Sequence, residues 1–316
     1  MVSWRKIPAF CAEQEINMLK ILECVPNISE GRDPAIVQVC CDAVRSVAGV
    51  TLMDYSSDEN HNRSVLSFLG APEAVVEAAV RLAKVAAERI DLRVHRGEHP
   101  RMGAVDVIPF IPLRGMDVEE AVTCSRTAAE RIWAEAGIPV YYYEDSATAE
   151  HRKNLAHVRR GEFEGLAEKT RLPEWQPDVG QGYHPSAGAV AVGARFPLIA
   201  FNINLTTDDV SVADRIARKV RASGGGFPCV KALGIMLQSR KVAQDSMNLT
   251  NYTVTPIYRV VEAVRAEAKA LGADILCTEL IGLTPMQALA DSAAYYLQLE
   301  EYDFHRQVLE NHLLEE

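Results

Sequence analysis

Apolar positions along the chain fall into two alternating kinds of segment. Short runs with period two, or continuous apolar runs, read as strands; longer stretches with apolar residues every third or fourth position read as helices. Leu19 to Val25 is a strand-like run ending at Pro26. Asp33 then precedes a helical stripe of Ile36, Val37, Cys40, Val44 and Val47. Val50 to Asp54 and Ser64 to Leu69 predict two further strands. Pro72 opens a second helix, at a first-turn position where its missing N–H costs nothing, with Val75, Ala78, Ala79, Leu82, Val85 and Ala86 as its apolar stripe. Val105 to Leu113 predicts a strand whose Pro109 and Pro112 argue for an edge or a bulge. The order is β-α-β-β-α-β, the split or ferredoxin-like arrangement. A helix over Asp117 to Ala136 and a strand over Pro139 to Tyr143 follow.

The second half repeats that order. Leu198 to Leu205 predicts a strand and Val210 to Ala222 a helix, stopped by Gly224, Gly225 and Gly226. Val230 to Leu237 and Val242 to Leu249 predict strands, Thr255-Pro256 opens a helix ending near Gly272, Ile275 to Leu283 is a strand, and Pro285 starts a last helix. The fold class expected is α+β, as two ferredoxin-like α/β-sandwich subdomains related by order and not by visible sequence repetition. The join is expected between Glu174 and Pro197, a segment rich in glycine and proline. The expected boundaries are an extension over residues 1–17, a first subdomain over 18–195 and a second over 196–316. Met18 is the expected natural domain start, and residues 1–17 lack the long apolar core of a signal peptide.

Composition narrows the class. Of 316 residues, 48% are hydrophobic and 24% charged, which suits a globular chain able to bury a sizeable core. A formal net charge of -10 without any dense Lys/Arg run argues against a nucleic-acid-binding surface. No apolar run approaches the roughly 18 residues that suggest a bilayer span. Seven cysteines, an odd number with no C-x-x-C pair, fit a reducing compartment such as the cytoplasm and neither a disulfide framework nor a zinc ribbon.

Polar residues concentrate in four places. His95-Arg96-Gly97-Glu98-His99-Pro100-Arg101-Met102-Gly103 is the densest. Two histidines spaced by four suit a metal on a helix, but Gly97 and Pro100 oppose a helix and the His-Glu-x-x-His order is absent. The alternatives are a solvated turn, or a constrained one that sets His99 and Arg101 beside the next strand. A second cluster holds Asp54, Asp58, His61, Asn62 and Arg63; the arginine could fork onto a carboxylate, or the cluster could be a solvated hairpin. A third, Val25 to Gly31, contains Asn27, with helix capping by Ser29 or Asp33 as the plain reading. The fourth is Gly180-Gln181-Gly182-Tyr183-His184-Pro185-Ser186-Ala187-Gly188, where glycines permit close approach to a flat ligand or make ordinary turns.

Several of these runs carry a resemblance. Cys24-Val25-Pro26-Asn27-Ile28-Ser29-Glu30-Gly31 and Asn62-Arg63-Ser64-Val65 resemble segments of formiminotransferases. Gly97 through Asp106, followed by Pro109-Phe110-Ile111-Pro112, is similar to that family's active-site signature. Phe201-Asn202-Ile203-Asn204-Leu205 and Leu280-Ile281-Gly282-Leu283 are similar to later family segments. The resemblance covers the chain from about Leu19 onward. It implies transfer of a formimino group from formiminoglutamate to tetrahydrofolate, the folate lying in a channel between two subdomains. It implies His99 as the catalytic residue and residues 180–188 as the folate border. Tetrahydrofolate is a co-substrate, no metal is expected, and a homodimer is the expected assembly. For such chemistry, Arg63 and Arg101 are candidates for substrate carboxylates, and Asp54 or Asp106 for the amidinium; Asn27 and Asn62 join the candidate binding set.

Three departures from the family pattern matter. The chain ends at Glu316 without the fused cyclodeaminase of animal relatives, so a separate deaminase is a possible partner. Asp245 stands where an apolar strand residue is expected; facing the core it needs a partner, and facing a cleft it would alter substrate choice. His184 and Ala187 stand where animal relatives are apolar or aromatic, which changes the expected pterin contacts. Three other readings compete: a folate enzyme using another donor such as a formyl group, a folate-binding partner without catalysis, and a metal-dependent hydrolase built on His95 and His99.

Overall fold

The computed structural model describes residues 20–238 and 240–313. The expected extension over residues 1–17, with Cys11, and the expected start at Met18 lie outside the described residues. The chain divides into two compact units, the first ending at Arg195 and the second beginning at Phe196.

In the first unit the chain runs β1 (Ile21–Cys24), β2 (Asn27–Ile28), α1 (Pro34–Arg45), β3 (Val50–Asp58), β4 (Arg63–Gly70), α2 (Pro72–Arg89), β5 (Val105–Arg114), α3 (Val118–Ala136), β6 (Val140–Tyr142), α4 (Leu155–Arg159), α5 (Leu166–Lys169) and β7 (Val190–Ala194). Strands β1 and β2 are two pieces of one line, broken at Val25-Pro26, and both pair antiparallel with β4 on one side and β5 on the other. Strand β3 lies outside β4, while β7 and then β6 extend the sheet beyond β5 in parallel. Helices α1, α2 and α3 bury their apolar stripes against one face, on Leu22, Cys24, Leu66, Phe68, Ile108 and Phe110. Full burial of each such side chain contributes roughly 1.5–3 kcal/mol. Asp33 caps α1 by accepting from the Ala35 N–H, and Asp117 with Glu120 forms a reciprocal capping box on α3.

Two expectations are corrected here. Strand β5 is not an edge: it is central and buried along most of its length. The bulge alternative is what occurs, with register shifts opposite Ile21/Leu22 and Asn27/Ile28. Its prolines are tolerated because Pro109 lies opposite the Val25-Pro26 break, and Pro112 lies beyond the paired length of β7. Strand β7, with all five residues buried, was not foreseen; it sits inside the segment read as the join and belongs to the first sheet. Strand β3 also runs on to Asp58.

The second unit runs β8 (Ile199–Leu205), α6 (Val210–Val220), β9 (Val230–Leu237), β10 (Val242–Leu249), α7 (Ile257–Ala270), β11 (Ile275–Ile281) and α8 (Met286–Leu297), followed by short helical segments at Phe304–Gln307 and Leu309–Leu313. Its sheet order is β11-β8-β10-β9, antiparallel throughout. Ile203, Ala213, Ala217, Met247 and Val260 lie in its core. Gly234 is required where α6 crosses β9, since a Cβ there would stand 2.3 Å from the Asp214 nitrogen. Asp245 pairs in register with Ile203 and Gly234 and so faces this core. It is 0% exposed and neither carboxylate oxygen accepts a hydrogen bond. Burial drives its pKa up to about 8, with Asp214 adding in the same direction. Asp245 thus takes the core-facing alternative without the partner that position demands.

Candidate active site

The segment 95–103 lies between α2 and β5 and is tied to its surroundings by hydrogen bonds and close backbone contact. His95 is buried; its Nε2–H donates to the Asn62 carbonyl at 2.9 Å and its Nδ1 accepts from Arg101 Nε at 3.3 Å. With both ring nitrogens used inside the protein, His95 and His99 do not form a free ligand pair. Gly97 is obligatory, because a Cβ there would stand 2.2 Å from the His61 carbonyl oxygen. Asn62, at φ 48°, ties three segments together: its Nδ2 donates to the Arg96 carbonyl and its Oδ1 accepts from the Gly31 N–H. Ser29 does not cap α1; its hydroxyl donates to the Gly103 carbonyl at 2.7 Å.

This scaffold presents His99 to Arg63. Arg63 Nη1 lies 2.8 Å from His99 Nδ1 and 3.1 Å from Asp106 Oδ2. Arg63 Nε and Nη2 fork onto Asn27 Oδ1 at 2.9 and 2.7 Å, and Asn27 Nδ2 donates to the Val25 carbonyl. Asp106 is fully buried and also accepts from the Met102 N–H at 2.8 Å. A second cation completes the group: Arg159, from the short helix α4, brings Nη2 to 2.5 Å from the same Asp106 oxygen. Burial works to raise the Asp106 pKa, but the two guanidinium groups and the Met102 N–H hold it below its ordinary value.

His99 Nδ1 also lies 2.7 Å from the Pro100 carbonyl oxygen. A carbonyl only accepts, so the two contacts belong to different tautomers. Either Arg63 donates to a bare Nδ1, or Nδ1–H donates to Pro100 and Nε2 carries the lone pair. Burial, then Arg63 and Arg159, depress the His99 pKa to about 4. The imidazole is therefore neutral at pH 7, able to accept a proton, in a cluster where two guanidinium cations face one carboxylate. His61 sits edge-on to it with ring centroids 6.0 Å apart. Ser29, His61, Asn62, Arg63, His95, His99 and Arg101 line a shallow recess at the surface of this cluster.

Several candidates read from the sequence have other work here. Arg101 is not available for a substrate carboxylate: it is buried and engages Glu162 at 3.0 Å and both oxygens of Glu164 at 2.8 and 2.7 Å. Asp106 anchors Arg63 and Arg159, which leaves it no role as a free partner for an amidinium. Asp54 shares the sheet face of Arg63 but pairs with Ser67, whereas Arg63 pairs with Asp58. At 3.2–3.4 Å per residue this puts the two roughly 13 Å apart along the strand. Asn27 and Asn62 hold neighbours in place with both ends of their amides.

Residues 180–188 split in two. The base is stitched to the His99 segment: Gly188 bridges Gly103, Ala104 N–H donates to the Ala187 carbonyl at 2.9 Å, and Leu92 N–H donates to the Ser186 carbonyl at 2.8 Å. Ala187 is buried in the core, and His184 Nδ1 accepts from the Ala187 N–H at 3.0 Å, which closes the turn around Pro185. The tip of Gly180, Gln181, Gly182 and Tyr183 is exposed. Gly180 and Gly182 adopt positive φ, at 82° and 62°.

Arg159 was missed by sequence reasoning. It sits among other charged residues in a segment without strong periodicity, and only the return of that segment onto the sheet brings it to Asp106. Lys169 holds this segment, donating to the carbonyls of Val158 and Arg160 on either side of Arg159, with its ammonium 4.2 Å from the Trp175 ring.

Residues 21–195 match the model of the formiminotransferase domain, N-terminal subdomain, and residues 200–313 that of the formiminotransferase domain. A glutamate formimidoyltransferase of Streptococcus pyogenes serotype M1 is 50% identical over 94% of this chain and 100% of its own length. One of Thermoplasma acidophilum is 46% identical over 90% of this chain and 95% of its own. The formimidoyltransferase-cyclodeaminase of Rattus norvegicus is 41% identical over 90% of this chain, which matches 54% of that longer protein. The chain belongs to the formiminotransferase domain family.

Proposed function

We propose that this chain is a glutamate formimidoyltransferase, moving the formimino group of N-formimino-L-glutamate to N5 of tetrahydrofolate and releasing glutamate. The observation that carries the reading is a neutral His99 whose Nδ1 faces the Pro100 carbonyl, set beside an Arg63 that Asn27 and Asp106 fix. Identity to enzymes of that name over nearly the whole chain supports it. A formyl donor or a purely binding role has no such support.

His99 takes the proton that N5 loses as the C–N5 bond forms. It returns that proton to the glutamate nitrogen as the old C–N bond breaks, so the leaving group departs as a neutral amine. A positioned acid–base group of this kind contributes about 10²–10⁴-fold, and holding two substrates in contact contributes roughly 7–11 kcal/mol at most. Neither step requires a metal. The Pro100 tautomer leaves Nε2 as the base. A carboxylate arriving at the guanidinium groups offsets the part of the His99 depression that Arg63 and Arg159 add to burial, which favours the imidazole as a base with substrate bound.

The exposed tip Gly180 to Tyr183 is the proposed folate contact, with its base positioning the His99 segment. The strand orders β5-β1-β4-β3 and β11-β8-β10-β9 support classing both units as ferredoxin-like, and the division at 195/196 is the proposed subdomain boundary. A cytoplasmic homodimer, its product consumed by a separate deaminase, completes the proposal. The test is direct transfer by the purified chain, following released glutamate and formimino-tetrahydrofolate beside a His99→Ala control. Transfer by the wild type alone supports both activity and base. No transfer from formiminoglutamate, with formyl transfer in its place, would move the protein to the other donor.

A further inference from the structure

We infer that Arg159 binds the α-carboxylate of the amino-acid donor, setting the reacting carbon against His99. The inference rests on the transferase reading above and adds a residue that neither the sequence motifs nor the family description assigns.

It follows from which guanidinium donors remain free. Arg101 directs all three of its nitrogens onto Glu162, Glu164 and His95. Arg63 directs Nε and Nη2 onto Asn27 and Nη1 onto Asp106, with Nη1 also facing His99, and is fixed by these bonds. Arg159 is different. Its side chain is only 14% exposed, yet neither Nε nor Nη2 makes a directed hydrogen bond, although Nη2 lies against Asp106. A buried guanidinium with undirected donors is costly unless a ligand satisfies it. The group also carries excess positive charge, since Arg63 and Arg159 share one carboxylate. An incoming anion completes it, and a planar fork suits a carboxylate better than an ammonium does.

Position distinguishes the possible carboxylates. Arg159 connects to His99 through Asp106 and Arg63 alone. The group bound here is therefore close to the reacting carbon. In formiminoglutamate the α-carboxylate sits on the carbon bearing the leaving nitrogen, the transferred carbon's old bonding partner. The carboxylates of folate lie beyond the aminobenzoyl ring from N5, at the far end of that molecule. The second substrate thus meets the requirement poorly. Lys169, bonded to the carbonyls on both sides of Arg159, is the residue that positions it.

The experiment measures initial rates of wild type, Arg159→Gln and Arg159→Lys. The donors are formiminoglutamate and N-formimino-4-aminobutyrate, the same chain without its α-carboxylate. Arg159→Gln should raise the KM for formiminoglutamate about 10- to 100-fold, the range for a hydrogen-bonded charge pair, with the KM for tetrahydrofolate within about twofold. Wild type should lose a similar factor on the truncated donor, and Arg159→Gln should lose little more, because the two deletions remove one interaction. Unchanged donor KM, or full discrimination between the donors by Arg159→Gln, overturns the inference. A penalty confined to tetrahydrofolate also overturns it and moves the arginine to the folate tail. If Arg159→Gln does not fold, Arg159→Lys keeps a charge beside Asp106 and carries the test, its discrimination falling if the inference holds and persisting if it does not. If wild type transfers from neither donor, the functional reading fails. Calorimetry with glutamate then tests Arg159 alone, weaker binding by the variant supporting the inference and equal binding overturning it.

Discussion

His99 shows what a single residue's surroundings add to its identity. The family resemblance implied a catalytic histidine here, and an ordinary imidazole titrates near pH 6.5. In the fold, burial and two arginines lower that value to about 4. His99→Ala should leave the melting temperature within a few degrees of wild type while transfer falls by about 10²–10⁴-fold; wild-type turnover in that variant would remove it from the mechanism. Arg101 moved the other way. It was legible as a functional arginine, but its partners Glu162 and Glu164 lie far along the chain, and no pattern in the sequence announces that pairing. Arg101→Ala should therefore act on stability and kcat, by unseating His95, and leave both KM values within about twofold. Asp245 was legible as an anomaly because it interrupts an apolar strand, although only the register shows that it faces α6. Its carboxyl stays protonated in the fold to about pH 8 and ionises near 3.8 once unfolded. The folded chain then holds a proton the unfolded chain has lost, so stability falls as pH rises across that window. Asp245→Val should stabilise the protein, more at pH 8 than at pH 5, in denaturant titrations; a gain independent of pH would mean the carboxyl is not the cause.

At the scale of elements, period and punctuation located most of the sheet strands and all of the long helices. They failed where pairing decides the outcome. Strand β7 is a small-residue run, Val190–Ala194, between the glycine-rich turn of residues 180–188 and Pro197, and reads as linker until β5 and β6 enclose it. Strand β5 carries two prolines that signal an edge or a bulge; the bulge is what occurs, and the break in its neighbour at Val25-Pro26 helps it lie at the centre. The turn carrying His99 belongs to this scale as well. It is placed by contact of Gly97 with the His61 carbonyl and by Asn62, which bonds residues on two other segments. Gly97→Ala forces that backbone apart, because its Cβ has only 2.2 Å of room. The expected result is a folded protein with a normal circular dichroism spectrum and at least tenfold lower kcat, since small misplacement of a catalytic group costs orders of magnitude in rate. Unaltered kcat would show that the turn adjusts without moving His99.

For the whole molecule, the two units respond to pH in opposite directions. In the first, His95 and His99 are held neutral by burial and by nearby arginines, with pKa values below the ordinary 6.5. The unfolded chain takes up protons there that the folded chain refuses, so stability is lost as pH falls from about 6.5 toward 4. Glu23 and Asp145, raised by burial, oppose this, as two carboxyls against three imidazoles, since burial lowers His184 as well. In the second unit Asp245, with Asp291 also raised by burial, penalises increasing pH. Each unit has its own core, so these tendencies act on separate sets of contacts. Hydrogen exchange followed by peptide mapping should find the second unit opening more readily at pH 8.5 than at pH 6. The first unit should open more readily at pH 5 than at pH 7, after correction for intrinsic exchange rates. Asp245→Val should abolish the alkaline half of that pattern and leave the acid half intact. A single shared opening energy at every pH would mean that the chain unfolds as one cooperative body, with the two sets of groups summing into one curve.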